Sequence, residues 1–196
     1  MRNTEKSAVG GSATRRRRRS LIGRFTKNSE GTTTIEFVML ALPFSLLVFA
    51  ILESCISFAG QQLLSNAADT VAREIRTGQL KAADITEASL KDEICSHIDI
   101  LVAAGCPELE VDLREFATFE QAAAVKIKYI GSGDSRDIDT SDFEVSPGPS
   151  LTKNMLRVFY RWPVITDLMR KSLSNIQGSK TLHFASVTWQ NEPFND

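Results

Sequence analysis

The sequence lacks the short motifs that mark the common classes of enzyme. It has no G-x-S-x-G, no H-E-x-x-H and no P-loop, so the usual settings for a serine nucleophile, a catalytic zinc or a bound nucleotide are missing. Its two histidines, His97 and His183, stand far apart without companion residues. We therefore expect no enzymatic activity, no cofactor and no catalytic metal.

Charge is missing from one stretch of the chain, which we call the uncharged run. The uncharged run is residues 37–52, which read FVMLALPFSLLVFAIL. With Ile35 and Glu36 in front of it, the apolar segment has 18 residues, close to the length of about 20 that a membrane-spanning helix needs. Pro43 lies inside this stretch and predicts a kink or a loosened turn. Glu36 stands at its start, where a carboxylate is costly and therefore indicates a function.

Positive charge is concentrated before the uncharged run. Residues 1–30 carry nine Arg or Lys and two Glu, a balance of +7, whereas the rest carries 14 basic and 22 acidic side chains, a balance of −8. This polar segment predicts disorder. A basic flank stays in the cytoplasm, so residues from about Gly60 onward are expected to be exported.

Two other interpretations of the arginine run are weaker. A nucleic-acid-binding tail is possible, but a basic flank on a membrane span needs no such partner, and we expect no nucleic acid. Residues 18–22 also fit a loose twin-arginine export pattern, although the apolar residues begin too far downstream of it.

The pattern after the uncharged run predicts a long helix followed by a small sheet. Thr32 can help to cap the helix, apolar residues recur at helical spacing as far as Ile75, and Gly78 is the predicted stop. The other predicted elements are a helical region at 81–104, strands at 109–113, 125–129, 155–162 and 182–189, and a short helix at 166–173. We expect an α+β fold in which the helix packs on a small antiparallel sheet. The expected divisions are a cytoplasmic leader (1–31), a transmembrane helix (32–54), its periplasmic continuation (55–78) and a periplasmic α+β domain (79–196).

Cys95 and Cys106 lie in the part of the chain that is expected to be exported. Two neighbouring cysteines in an oxidising compartment predict one local disulfide. A zinc site would use Cys95, His97 and Cys106, but the sequence offers no fourth ligand nearby.

An acidic loop follows the first predicted strands. Its carboxylates could bind calcium, but the loop lacks the glycine and the terminal glutamate of an EF-hand. We expect it to be a solvated loop; its acidic residues are Asp134, Asp137, Asp139, Asp142 and Glu144.

The uncharged run is also compatible with three simpler kinds of segment. A signal peptide would be cut after Ala59, and a lipoprotein box at residues 52–55 is spoiled by Glu53. A plain single-pass anchor would account for the length of the run but not for Glu36. Glu53 itself is expected to mark the outer boundary of the membrane, where charge is inexpensive, rather than to contact another subunit.

The stretch from Gly31 to Glu36, Gly-Thr-Thr-Thr-Ile-Glu, resembles the processing site of type IV prepilins and pseudopilins. Together with Phe37, Pro43 and Glu53, then Gln61-Gln62 and Asn66-Ala67-Ala68, it resembles the TadE-like family of tight-adherence (Flp, type IVb) pilus systems. The resemblance covers about 45 residues and is specific as a combined pattern, since Gly-x-x-x-x-Glu alone would be weak.

The resemblance implies a role for each residue at the start of the helix. A prepilin peptidase would cut after Gly31, Thr32 would become the new N-terminus, and Glu36 and Phe37 would take part in assembly. The implied fold is pilin-like. The implied location is the bacterial inner membrane, and the resemblance also allows incorporation into the pilus. The implied partners are the prepilin peptidase, other minor pseudopilins, the major Flp pilin, the inner-membrane platform and membrane lipid. The rival function is an uncleaved, membrane-anchored periplasmic binding or sensory protein.

Overall fold

A helix of 45 residues, α1 (Thr32–Arg76), opens the part of the chain that the structure describes. The structure is a computed structural model that describes residues 32–194, apart from the side chains of Thr32 and Leu168. The backbone leaves the helix at Gly78, which has a φ of 74°. This left-handed conformation suits glycine, and it lets the amides of Gln79 and Leu80 both bond the carbonyl of Glu74.

The chain divides into two units, Met1–Ser45 and Leu46–Asp196. The described part of the first unit is helical throughout. The second unit contains the remainder of α1 and all the elements that follow it. These are α2 (Glu87–Ile98), β1 (Leu109–Phe116), α3 (Phe119–Ala123), β2 (Tyr129–Ile130), β3 (Asp137–Ile138), β4 (Val145–Ser146), β5 (Lys153–Pro163), α4 (Asp167–Leu173) and β6 (Lys180–Gln190), with 3-10 turns at Ala82–Asp84 and Gly133–Ser135.

The main sheet is mixed rather than antiparallel, and this corrects the prediction. Its strand order is β4-β1-β5-β6. The pairs β1–β5 and β5–β6 are antiparallel, but β4 runs parallel to β1. The parallel pair arises because the chain leaves β1, passes through α3 and the separate β2–β3 ribbon, and only then returns beside β1. The α+β class and the long N-terminal helix are confirmed.

Two other predicted elements are also corrected. The helical region at 81–104 contains a 3-10 turn and the shorter α2, which Thr86 starts with a capping box. The strand predicted at 125–129 is not formed: residues 125–128 have no regular structure, and only Tyr129 belongs to a strand, the two-residue β2. The helix α3, which Thr118 caps, precedes this stretch. Val125 and Ile127 alternate with polar residues as strand residues do, but they are only half-buried. The alternation therefore does not correspond to the buried face of a sheet.

The core of the second unit lies between α1, α2 and one face of the sheet. Ala67 and Ala68 are almost fully buried, and their small side chains let α1 approach closely. At Gly60 the contact is closer still, because a Cβ there would lie 2.5 Å from the ring of Trp162. The other buried residues of α1 in this cluster are Leu64, Val71, Ala72 and Ile75.

A disulfide joins Cys95 of α2 to Cys106, with 5.8 Å between their Cα atoms. It fixes the end of α2 to the turn that precedes β1. Both sulfurs of the alternative zinc site are therefore committed to each other.

A membrane segment and a helix-anchoring stripe

The first part of α1 exposes apolar side chains along its length. Every described residue from Thr33 to Leu40 is exposed, and the helix contains an 18-residue window with a mean hydropathy of 2.5. Placing a large apolar side chain in an apolar medium is favourable by roughly 1.5–3 kcal/mol, so this surface favours lipid or other apolar helices over water. The helix is long and apolar enough to span a membrane. The large residues exposed here include Ile35, Phe37, Met39, Leu40, Leu42, Phe44, Leu47 and Phe49.

Glu36 and Phe37 lie on this exposed surface. The Phe37 side chain is 70% exposed, and Glu36 is also exposed. Gly31 lies outside the described residues, and only the backbone of Thr32 is described. The predicted cleavage site therefore stays a prediction.

Three polar residues form a stripe on the part of α1 that belongs to the second unit. Glu53, Ser57 and Gln61 follow one another at intervals of four, so their side chains share one face of the helix. Glu53 bonds the segment before α4, whereas Ser57 and Gln61 bond neighbouring residues of β6. We call these three residues the anchoring stripe. The stripe continues the buried apolar face of α1 toward the uncharged run.

Glu53 binds the segment that leads into α4. Its Oε1 accepts the backbone N–H of Ile165 at 2.5 Å and that of Thr166 at 3.1 Å. Its Oε2 accepts the hydroxyl of Thr166. Thr166 is the N-cap residue of α4, so the carboxylate of one helix satisfies amides at the start of another. With 8% exposure, Glu53 is a buried anchor within its own domain.

Ser57 binds a buried histidine on β6. Ser57 Oγ lies 3.0 Å from His183 Nε2, and the imidazole stacks on Trp162 with 5.1 Å between ring centroids. Burial lowers the pKa of His183 from 6.5 to about 4, because desolvation disfavours the charged ring. The neutral imidazole is therefore the form that fits this site at neutral pH.

Gln61 binds the outer edge of β6. Its side-chain nitrogen donates to the carbonyl of Phe184 at 2.8 Å, and its side-chain oxygen accepts the N–H of the same residue at 3.1 Å. A neighbouring strand would make the same two bonds. The amide of Gln61 thus occupies the place of a strand at that position.

Sequence reasoning misses the anchoring stripe. It includes Glu53 and Gln61 only as parts of a family pattern, and it predicts a boundary charge at Glu53. A signal is nevertheless present, since polar residues spaced four apart directly after an apolar run indicate a helix face with buried polar partners. The sequence does not indicate the partner segments, which lie more than one hundred residues later.

The acidic loop is held by ion pairs and hydrogen bonds. Asp137 accepts Arg161 Nε at 3.1 Å and Gln177 Nε2 at 2.8 Å. Burial would raise the pKa of Asp137, but these hydrogen bonds outweigh it and hold the pKa below its usual value. Asp142 pairs with Lys128. Among residues 32–194, no group of three or more His, Cys, Asp or Glu is placed to hold a metal ion.

Comparison with known proteins finds one family model that matches part of the chain. Residues 31–73 match the model of the family described as TadE-like protein. No curated protein and no solved structure matches the chain significantly. The match agrees with the resemblance seen in the sequence, and it suggests a protein associated with Tad pili. The matched segment contains the uncharged run, the whole anchoring stripe and the buried pair Ala67-Ala68.

Replacing Glu53 with Ala should free the two amides that its carboxylate holds. Loss of the acceptor removes two hydrogen bonds to a charged group, each worth roughly 1.5–3 kcal/mol. We expect hydrogen exchange at Ile165 and Thr166 to accelerate by about tenfold or more, measured on the full chain in detergent micelles. Asp69→Ala, at an exposed position of the same helix, is the matched control. Unchanged exchange in Glu53→Ala would show that the carboxylate does not hold this segment.

The His183 site should make folding stability depend on pH in the mildly acidic range. Between pH 6.5 and pH 4 the unfolded chain takes up a proton on this histidine, whereas the folded chain does not. Stability should therefore fall as the pH drops through this window, by up to about 3 kcal/mol, measured by urea unfolding of the full chain in micelles. His183→Gln should flatten the curve over this window. The carboxylate of Asp137 contributes little in this window, because its hydrogen bonds to Arg161 and Gln177 hold its pKa below the usual value. Equal slopes for the two proteins would contradict the assignment.

Proposed function

We propose that this chain is a minor pseudopilin, or a closely related assembly component, of a Tad (Flp) type IVb pilus, and that it supports pilus biogenesis and adherence. The observation that carries the proposal is the family match over residues 31–73. It coincides with a helix that exposes a continuous apolar surface. The chain would act by binding other subunits, and we infer no catalytic role for it.

The charge pattern supports one orientation in the membrane. The basic residues of segment 1–30 would stay in the cytoplasm, and the domain from Gly60 onward would lie in the periplasm of a bacterium. The Cys95–Cys106 disulfide supports an oxidising compartment for that domain. The membrane in question would be the inner membrane.

Processing would begin at the glycine that precedes α1. A prepilin peptidase would cut after Gly31, where the absence of a side chain lets the backbone enter a narrow cleft. Removal of the basic leader would release the helix from the charge that holds it on the cytoplasmic side. Thr32 would then carry the free α-amino group.

Assembly would follow through the exposed surface of α1. Glu36 would pair with the α-amino group of a neighbouring subunit, and Phe37 would contribute apolar contact between the helices. A buried ion pair of this kind sets register more than it adds stability. Partners of this surface would be other minor pseudopilins, the major pilin and the inner-membrane platform.

Replacement of Gly31 with Arg should block processing. The precursor should accumulate in the membrane of a strain with an intact pilus system, and mass spectrometry of the purified chain should find Met1 at its N-terminus. The native chain should begin at Thr32. Gly23→Arg, eight positions upstream within the leader, is the control and should leave cleavage unchanged.

The same measurement separates the proposed function from its rivals. A native chain that begins at Met1 would indicate an uncleaved anchored binding or sensory protein. A chain that begins at Gly60 would indicate a secreted protein released by signal peptidase. Either result overturns the pseudopilin assignment.

Replacement of Glu36 with Ala should separate assembly from processing. The chain should still be inserted and cut, because the glycine is intact, but its crosslinking to neighbouring pilins should fall by at least about tenfold, since one partner of a buried pair is lost. Asp69→Ala is the control at a carboxylate outside the uncharged run. Normal crosslinking of Glu36→Ala would show that this carboxylate makes no contact between subunits.

A further inference from the structure

The segment that Glu53 holds lies beside the end of the uncharged run. Glu53 directly follows Leu52, so it stands 1.5 Å further along the helix axis. Residues 35–52 span about 27 Å as a helix, close to the hydrocarbon thickness of about 30 Å. The headgroup layer on each side adds roughly 5–8 Å. The amide of Ile165, which Glu53 binds at 2.5 Å, therefore lies close to that layer if the run spans the membrane, a condition that rests on the proposed function.

Ile165 presents an apolar side chain at this level. Its backbone N–H is bonded to Glu53, yet its side chain is 72% exposed, whereas the preceding Val164 is buried at 6%. Phe58, just beyond the uncharged run, is likewise 72% exposed. Transfer of such large apolar side chains from water to the acyl chains of the lipid is favourable.

The helix that follows Ile165 adds positive charge. Arg170 and Lys171 in the last turn of α4 are exposed. The one acid of the helix, Asp167, is 87% exposed at its side chain and pairs with Arg170. The remaining acid at this site, Glu53, is buried and faces the amides. Because Arg170 is paired with Asp167, the exposed surface of the segment carries one net positive charge, which suits anionic phospholipid headgroups.

We propose that residues 165–171, here called the interfacial segment, rest on the membrane from the periplasmic side. Ile165 inserts toward the acyl chains, and Arg170 and Lys171 lie at the phosphates of anionic lipid. Glu53 holds the segment at that depth. The α+β domain is thereby fixed to the bilayer at a second point in addition to its helix.

The test places a nitroxide spin label on Cys at position 165 of the full chain. Ile165→Cys is made together with Cys55→Ser, because Cys55 is exposed and free, while the disulfide protects the other two cysteines. Exposure of the Ile165 side chain and retention of its backbone N–H leave the bond to Glu53 intact. Reference labels replace Leu47, 58% exposed in the uncharged run, and Ile100, 81% exposed in the domain.

Collisions with oxygen and with a water-soluble nickel complex are measured in vesicles of phosphatidylethanolamine and phosphatidylglycerol. We expect the labels at positions 165 and 47 to collide more often with oxygen, which concentrates in lipid. The label at position 100 should collide more often with the nickel complex, which stays in water. If position 165 behaves as position 100 does while position 47 remains lipid-like, the segment lies in water and the inference fails. If neither reagent reaches position 165, a protein surface covers it and the inference also fails. A water-like result at position 47 would instead overturn membrane insertion itself, and the inference with it.

A second variant tests the cations. Arg170→Gln with Lys171→Gln should raise nickel access at position 165 in vesicles that contain phosphatidylglycerol, because roughly fivefold in surface affinity is lost per cation. The same pair should have little effect in vesicles of phosphatidylcholine alone. An equal effect in both lipids, or none in either, would show that the two cations do not contact anionic headgroups.

Discussion

The contact between one face of α1 and the sheet is the interaction on which the second unit depends. Ala67, Ala68 and Val71 are all but inaccessible to solvent, and the close approach at Gly60 leaves no room for a larger residue. Most of the stability of a helix in a protein comes from burial of such a face. The same helix continues N-terminally into the uncharged run. The anchoring stripe extends the contact by hydrogen bonds where apolar packing ends.

Much of this arrangement could be predicted from residue patterns. The uncharged run, the stop at Gly78 and the two long strands β5 and β6 could be predicted from periodicity and from turn residues. The disulfide could be predicted from two nearby cysteines in a domain that was expected to be exported. The parallel strand β4 could not be predicted, because it has two residues and no alternation. The helix α3 was hidden because the apolar residues just after it alternate as strand residues do.

The partners of Glu53 were beyond prediction for a different reason. A glutamate after an apolar run is compatible with solvent, with lipid headgroups or with a buried acceptor role, and only the position of residues 165–166 decides among them. That position depends on the turn after Pro163 and on the whole antiparallel pairing of β5. The local sequence shows the spacing of the polar residues on one face of the helix. The topology of the sheet determines which segment that face contacts.

The family match and the fold divide the chain in different ways. The match ends at residue 73, close to the end of α1, so the sheet lies outside the matched segment. The sheet nevertheless contains well-satisfied buried charge. Asp112, with no exposed surface, accepts Arg157 Nε at 2.8 Å and the amide of Glu144 at 3.1 Å.

The bonds between Gln61 and Phe184 affect how the edge of β6 can pair with a strand of another chain. A strand at the border of a sheet offers its free backbone groups to any other strand that comes near, and proteins are subject to selection against that pairing. Subunits gathered side by side in one membrane would meet at high local concentration. At Phe184 those groups are already occupied by the amide of the chain's own helix. One glutamine thus leaves neither backbone group of Phe184 free to pair with a strand of another chain.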